Sequence, residues 1–332
     1  MKTRSRLSSL VMILCVVCLA GVVQAKTLKI SHVRPQDTAI DKDLRWFSET
    51  LKTTSGGKIK TKIYPASALG DYTVVQERVG LGAIDMACQP PASAADKRFQ
   101  VVYFPYMVKG WEQAKKNYSP GAPLRKVVGD LYGEQGIHLL AAWPVYFGGV
   151  ALNREPVSPG DPASAKGIKL RVPPMKTFQM LADNTGYLGT PIPFSDAFTA
   201  VQTGVVDGVI GSGAEGYYAS FRDVTKFYIP QNTHFEVWYL IINKEYYDGM
   251  PDDQKKQLQD VANQFEQRRW ETAEADQAAN EKRLADYGAK IVPLSEAEIA
   301  AIAAKIHKTV WPEVLKDVGE DWGKGVLDSI VE

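Results

Sequence analysis

The sequence predicts an α/β fold, and three observations carry that prediction. Short β-type segments alternate with amphipathic helical ones from residue 27 to residue 210. A continuous apolar run, Val237 to Ile242, looks like a strand buried on both faces. One long, charged, alanine-rich stretch then runs from Asp252 to Ala289, with no Gly or Pro before Gly288. At 332 residues, 45% hydrophobic and 23% charged, the chain has ordinary globular usage. That length suggests two domains or one large α/β unit.

The elements follow in order. Thr27 to Ser31 alternates like a half-buried strand, and Ile40, Leu44, Phe47 and Leu51 place a helix over 38–53 that Ser55-Gly56-Gly57 stops. Lys58 to Tyr64 alternates strictly, with Lys58, Lys60 and Lys62 on a solvated face. A helix over 71–81 and a buried strand over 83–87 complete a parallel start. The middle repeats the pattern. Strands are expected over 137–142, 167–172, 190–193 and 205–210, and helices over 176–184 and 195–203. The Pro-, Gly- and Ser-rich stretch 153–165 marks a boundary or crossover. The long stretch from Asp252 has Leu258, Val261, Phe265 and Leu284 on its buried side and spans roughly 50 Å as a helix. Ser295-Glu296-Ala297-Glu298 is a capping box opening another helix, with Ile299, Ile302 and Ile306 inward.

Residues 1–25 read as a cleaved secretory leader. Lys2, Arg4 and Arg6 precede an uncharged run of 14 residues, Leu10 to Val23, and Val23-Gln24-Ala25 fits a signal-peptidase site. A bilayer span needs roughly 20 apolar residues. Removing the leader takes those three positive charges from a net charge of +1, leaving −2, and leaves Cys88 as the remaining cysteine. No basic stripe suggests a nucleic-acid partner. The four histidines are scattered and no Cys/His cluster has metal-ligand spacing, so no metal and no cofactor are expected.

Chemistry is sparse. Gly211-Ser212-Gly213-Ala214-Glu215-Gly216 matches the dinucleotide fingerprint, and Glu236 lies where a ribose-binding acid would stand. Such a motif usually opens its domain, and here it follows 200 residues of α/β chain. A space-making glycine loop is the better reading. A secreted NAD-dependent oxidoreductase and a carboxylate-pair hydrolase are the enzymatic alternatives. No nucleophile elbow, Walker loop or zinc-protease motif is present. Arg171 ends an apolar strand just before Val172-Pro173-Pro174, where open sheets bind ligands. Its planar fork suits a carboxylate, although local sequence alone favours a surface salt bridge.

Several runs together carry a resemblance. They are Leu28 to His32, Ser55 to Lys60, Pro65 to Gly70, Leu81 to Met86, Phe104-Pro105-Tyr106, Gly167 to Pro173, Pro193 to Asp196, and the most specific, Ala200-Val201-Gln202-Thr203-Gly204-Val205-Val206-Asp207-Gly208. With His234, Asn243-Lys244 and Met250-Pro251, the chain resembles the DctP-type periplasmic solute-binding subunits of TRAP (tripartite ATP-independent periplasmic) transporters. The resemblance implies a two-lobed binding-protein fold of type II character, with discontinuous lobes and a long helix spanning both. Residues 26–149 and 237–277 would form lobe I, and 150–236 and 278–332 lobe II. It also implies a binder rather than an enzyme, periplasmic, closing over an organic anion and docking on the membrane subunits of a TRAP permease, as monomer or dimer. An ABC-type binding protein is equal in mechanism.

In this family an arginine before the proline grips the substrate carboxylate, and here it is Arg171. Two departures stand out. Many members carry a second arginine where this chain has Gly148, and a polar residue where it has Gly211. Glycine at both would remove hydrogen bonds and open volume. With Trp143, Phe147 and Trp238 among the nearby aromatic residues, this predicts a bulky or aromatic monocarboxylate. The alternative ligand is a small dicarboxylate or a hydroxy or keto acid. His32 and Gln89, at cleft-facing strand ends, and Ser212 beside Gly211 complete the expected ligand contacts.

Overall fold

A computed structural model describes residues 26–330, and the leader expected over 1–25 lies outside them. From the amino terminus come β1 (Thr27–Ser31), α1 (Ala39–Thr54), β2 (Lys60–Tyr64), α2 (Tyr72–Gly80) and β3 (Met86–Gln89). A 3-10 segment, Lys97–Tyr103, leads to α3 (Trp111–Tyr118), α4 (Pro123–Glu134) and β4 (Ile137–Phe147). After Gly148 follow β5 (Gly149–Leu152), β6 (Lys169–Val172), α5 (Lys176–Asn184), β7 (Leu188–Pro191), α6 (Phe194–Gln202), β8 (Gly208–Ser212), α7 (Ala214–Phe221) and β9 (Phe227–Ile229). The chain then returns through β10 (Phe235–Asn243), α8 (Lys244–Asp248), the 35-residue α9 (Asp252–Asp286), β11 (Lys290–Ile291), α10 (Glu296–Thr309), α11 (Trp311–Val318) and α12 (Glu320–Asp328).

These strands make two sheets, ordered β2-β1-β3-β10-β4 and β11-β9-β5-β8-β6-β7. In the first, β1 pairs parallel with β2 and β3, while β10 runs antiparallel to β3 and β4. In the second, β6 is parallel to β7 and β8, and β5 is antiparallel to β8 and β9. The lysine row starts at Lys58, just before β2, and continues at Lys60 and Lys62 on that edge strand, all three exposed. Every residue of β10 is buried, as its unbroken apolar run requires. None of the described helices is long and apolar enough to cross a membrane.

The two lobes share three crossings. β4 passes into β5 through Gly148, β9 returns to β10 through Thr233-His234, and α9 packs on α1 and β4 of one lobe and on α7 and β11 of the other. Gly148 and the returning segment are stitched together: Gly148 N–H donates to the His234 carbonyl at 2.9 Å, and Thr233 N–H to the Gly148 carbonyl at 2.9 Å. Pro144 interrupts β4 because it has no N–H to give the ladder. α9 compensates there. Arg269 Nε donates to the Pro144 carbonyl (2.7 Å), Ala142 N–H donates to Glu266 (2.7 Å), and Phe147 N–H donates to Gln277 (2.8 Å).

Several expectations differ in detail: the strand placed at 83–87 is Met86–Gln89, that at 190–193 is Leu188–Pro191, and that at 137–142 runs on to Phe147. The strand placed at 205–210 begins at Gly208 and runs to Ser212, so two residues of the glycine run belong to β8. Residues 278–332 were expected to lie wholly with lobe II. α10 does contact α5, yet α11 and α12 pack on the Lys97–Tyr103 segment and α12 also on α4, all in the first lobe. The capping box forms as expected, Ser295 and Glu298 each bonding the other's backbone.

Gly148 fixes the crossing. A Cβ there would lie 2.2 Å from His234 Cε1 and 2.6 Å from Thr233 Oγ1, and His234 is itself held in place by hydrogen bonds to Thr233 and Glu236. Gly148→Ala is therefore expected to cost about 1–3 kcal/mol, seen as a lower melting temperature. Gly129→Ala, whose Cβ meets nothing within 4 Å inside α4, should be neutral or slightly stabilising.

Candidate functional site

A cavity of about 30 Å³ lies between the two lobes, at the ends of strands from both sheets. The first lobe contributes Val33 and Arg34 beyond β1, Tyr72 opening α2, Pro90 beyond β3, Tyr103, Tyr146 on β4, and Glu236 and Trp238 on β10. The second contributes Arg171 on β6, Pro173, Met175, Phe178, Phe194, and Gly211 and Ser212 on β8. This is the ligand position that open α/β sheets favour, outside the carboxyl ends of their strands.

Direct bonds hold the lobes closed around it. Tyr146 and Ser212 share a hydrogen bond at 3.1 Å, Ser195 N–H donates to Asp71 at 3.1 Å, and Thr177 donates from N–H and hydroxyl to Gln100 at 3.0 Å. The strongest link is ionic. Arg34 sends Nε (3.0 Å) and Nη2 (2.9 Å) to Glu215 Oε2, with both residues buried. Its guanidinium carbon lies 4.8 Å from the ring centre of Trp238 and 5.0 Å from that of Phe194.

Arg171 is 1% exposed and has no such partner. Its Nε donates to the Ile192 carbonyl at 2.8 Å, Phe194 lies 5.8 Å from its guanidinium carbon, and no Asp or Glu oxygen among the described residues comes within 4.0 Å. The two arginines are equally buried and titrate in opposite directions. Burial lowers the pKa of Arg171, with Tyr72 and Asp71 only partly offsetting it. Burial works most strongly against the charge of Arg34 too, but the adjoining Glu215 carboxylate and Tyr146 together outweigh it and raise the pKa. A buried cation without a counter-charge is costly, and an incoming carboxylate removes that cost.

Glu236 also borders the cavity, with its oxygens engaged: Oε1 accepts from Trp238 Nε1 (2.8 Å) and Tyr103 hydroxyl (3.4 Å), and Oε2 bonds His234 Nε2 (3.1 Å).

Of the expected contacts, Arg171, Gly211, Ser212 and Trp238 line the cavity. Five others do not. His32 is sealed against Asp41, Nε2 to Oδ1 at 3.2 Å, with its ring fully buried. Gln89 turns to the Tyr72 carbonyl (2.8 Å). Trp143 donates to Asp43 (2.8 Å) beneath Arg269, and Phe147 packs on Trp111 and Phe235, because β4 continues past 142 and carries both into the interior. Gly148 faces His234, away from the cavity.

The glycines open no volume. The Cβ absent from Gly148 would strike His234, and that absent from Gly211 would strike Pro173 Cγ at 2.4 Å, in a backbone with φ of +87° that glycine tolerates best. The premise for a bulky ligand is thereby removed. The dinucleotide reading fails on the same grounds. A Cβ at Gly213 would meet the Tyr146 ring at 2.6 Å, and one at Gly216 would meet Arg34 Nη2 at 2.4 Å. The glycine run seats side chains of the opposite lobe where a pyrophosphate would have to lie.

Residues 30–317 match the family of bacterial extracellular solute-binding proteins, family 7 (DctP). The chain belongs to that family. It is 30% identical over 305 residues to a solute-binding protein of Albidiferax ferrireducens, covering 87% of each chain. It is 27% identical to the C4-dicarboxylate-binding periplasmic protein DctP of Rhodobacter capsulatus, over 70% of this chain and 69% of that one. A TRAP periplasmic solute-binding protein of Haemophilus influenzae, solved with bound L-gulonate, superposes with a TM-score of 0.83 at 24% identity, covering 92% of this chain and 98% of the other. This DctP-family protein is thus a TRAP-type solute receptor and not an enzyme, and the family's location is the periplasm.

Sequence reasoning missed Arg34, Glu215, Tyr72 and Phe178 as parts of the site. Arg34 was within reach, since it follows β1 by the same strand-end rule that singled out His32. Glu215 stood inside the glycine run, where the dinucleotide pattern gave it no role.

His32 now reads as structural, with a testable consequence. Burial lowers its pKa to about 4 from an ordinary value of 6.5, against the opposing hydrogen bond from Asp41. Between those values the unfolded chain binds a proton that the folded chain refuses, so stability is lost as pH falls from 6.5 towards 4. The loss is about 3 kcal/mol. Melting temperatures across that interval should fall less steeply for His32→Gln than for the native sequence.

Proposed function

We propose that this receptor captures a compact organic monocarboxylate between its lobes and delivers it to a TRAP permease in the membrane. Arg171 carries the reading: a buried guanidinium bordering the cavity, with one N–H spent on a carbonyl and no carboxylate beside it. A planar carboxylate can take two of its remaining N–H groups at once. Glu236 on the same wall disfavours a second negative charge on the ligand. Phe178, Phe194, Met175 and Trp238 offer apolar surface to a short carbon skeleton, and Tyr72 offers a hydroxyl to an oxygen substituent, so a hydroxy or keto acid suits the lining.

Compactness follows from the walls. With the lobes bridged by Arg34 and Glu215, the closed cavity of about 30 Å³ matches one water's share of volume, so the lobes part for any acid. The close backing of Gly211 by Pro173 favours a small skeleton over an aromatic bicycle. L-gulonate, bound in the Haemophilus protein, is one acid that this fold accommodates.

A thermal-shift screen of residues 26–332 tests the reading. The panel comprises short hydroxy and keto monocarboxylates, pyroglutamate, sugar acids, indole and phenyl carboxylates, succinate and NAD. A ligand at 100 times its Kd adds about 2.7 kcal/mol of stability. A compact monocarboxylate should stabilise the native sequence, and Arg171→Ala should lose about 10- to 100-fold in affinity, the worth of roughly 1.5–3 kcal/mol for a charged hydrogen bond. Stabilisation by aromatic acids alone would restore the larger ligand. No response to any acid would overturn the receptor's proposed ligand class.

A further inference from the structure

The cavity wall holds two buried arginines against one ring. Phe194 lies 5.0 Å from the guanidinium carbon of Arg34 and 5.8 Å from that of Arg171. Two cations so placed would suit an acid carrying a carboxylate at each end, yet only one of them lacks a counter-charge. Glu215, entering from the first turn of α7, takes Nε and Nη2 of Arg34 and sits behind it, off the cavity wall. The glycine at 216 makes this possible, since a Cβ there would fall 2.4 Å from Arg34 Nη2.

We propose that Glu215 limits this receptor to singly charged acids by occupying the guanidinium of Arg34. The inference rests on the carboxylate clamp at Arg171 proposed above and adds the residue that decides ligand charge. Glu215 acts through Arg34, as a positioning residue. With the pair intact, Arg171 is the cavity cation without a carboxylate beside it among the described residues, and a monocarboxylate supplies one. A dicarboxylate would bring a second charge to a wall already neutralised by Glu215 and bordered by Glu236, with no cation left to receive it. Freed of Glu215, Arg34 becomes a second clamp, pre-set between Phe194 and Trp238.

Succinate and its monoamide succinamate, equal in length and differing by one charge, are the probes. Their dissociation constants are measured by displacement of the monocarboxylate found in the screen. The native protein should bind succinamate at least tenfold more tightly than succinate. Glu215→Gln should move that ratio at least tenfold towards succinate, and adding Arg34→Gln should remove the gain, which a general loosening of the lobes would not do. Equal affinities in the native protein, or an unchanged ratio in a folded Glu215→Gln, overturns the proposal. Should that variant fail to fold, the native ratio decides alone. Failure of both probes to displace a ligand that does bind also overturns it, while leaving Arg171 as the clamp. If no acid of the panel binds, the monocarboxylate reading falls first, and this one with it.

Discussion

Burying a charge in a protein interior is so unfavourable that its partner must be accounted for, and this molecule buries two guanidiniums side by side. Arg34 reaches across the cleft to Glu215, and the bond holds one lobe against the other. Arg171 has a carbonyl and an aromatic face for company and, among the described residues, no carboxylate within 4.0 Å. One arginine is spent on closing the molecule, and the other is the one we propose for the ligand. The remaining features of the cleft follow from that division: the glycines that let α7 approach, the aromatic rings that flank both cations, and the tyrosine and serine hydroxyls that bond across the gap.

Such a cleft functions only if the lobes meet in register, and the crossings provide for that. β4 carries Pro144 within its length, and α9 meets the interrupted stretch with Arg269, Glu266 and Gln277, three polar side chains on an inward face. A few residues on, Gly148 admits the ring of His234, which bonds Glu236 on the cavity wall. The crossing and the cavity wall are therefore joined through the hydrogen bonds of His234. A substitution at the crossing is felt at the site because no slack separates them.

The family supplies the architecture and this chain supplies the variation. Where the family resemblance pointed to a second arginine, this protein has Gly148 with His234 packed against it, and a second arginine borders the cavity from the loop after β1. That cation is tied to a carboxylate from the opposite lobe.

Periodicity made the strands and helices legible because each element must turn an apolar face inward: β1, α1, the fully buried β10 and the long α9 all announce themselves along the chain. The place of Arg171 at a strand end before Pro173 was legible as a local fact, but local sequence favoured a surface salt bridge there, and its burial emerged only in the fold. What stayed hidden depends on which residues meet across the cleft. His32 and Arg34 stand two positions apart at the same strand end, and nothing local says that His32 is sealed against Asp41 while Arg34 faces the cavity. Gly148 and Gly211 read as added volume because a sequence shows the side chain a residue lacks and not the neighbour that fills its place. The pairing of Arg34 with Glu215, 181 residues apart, exists only once both lobes are folded and closed. Local pattern determined the elements, and long-range packing decided which charges were left for a ligand.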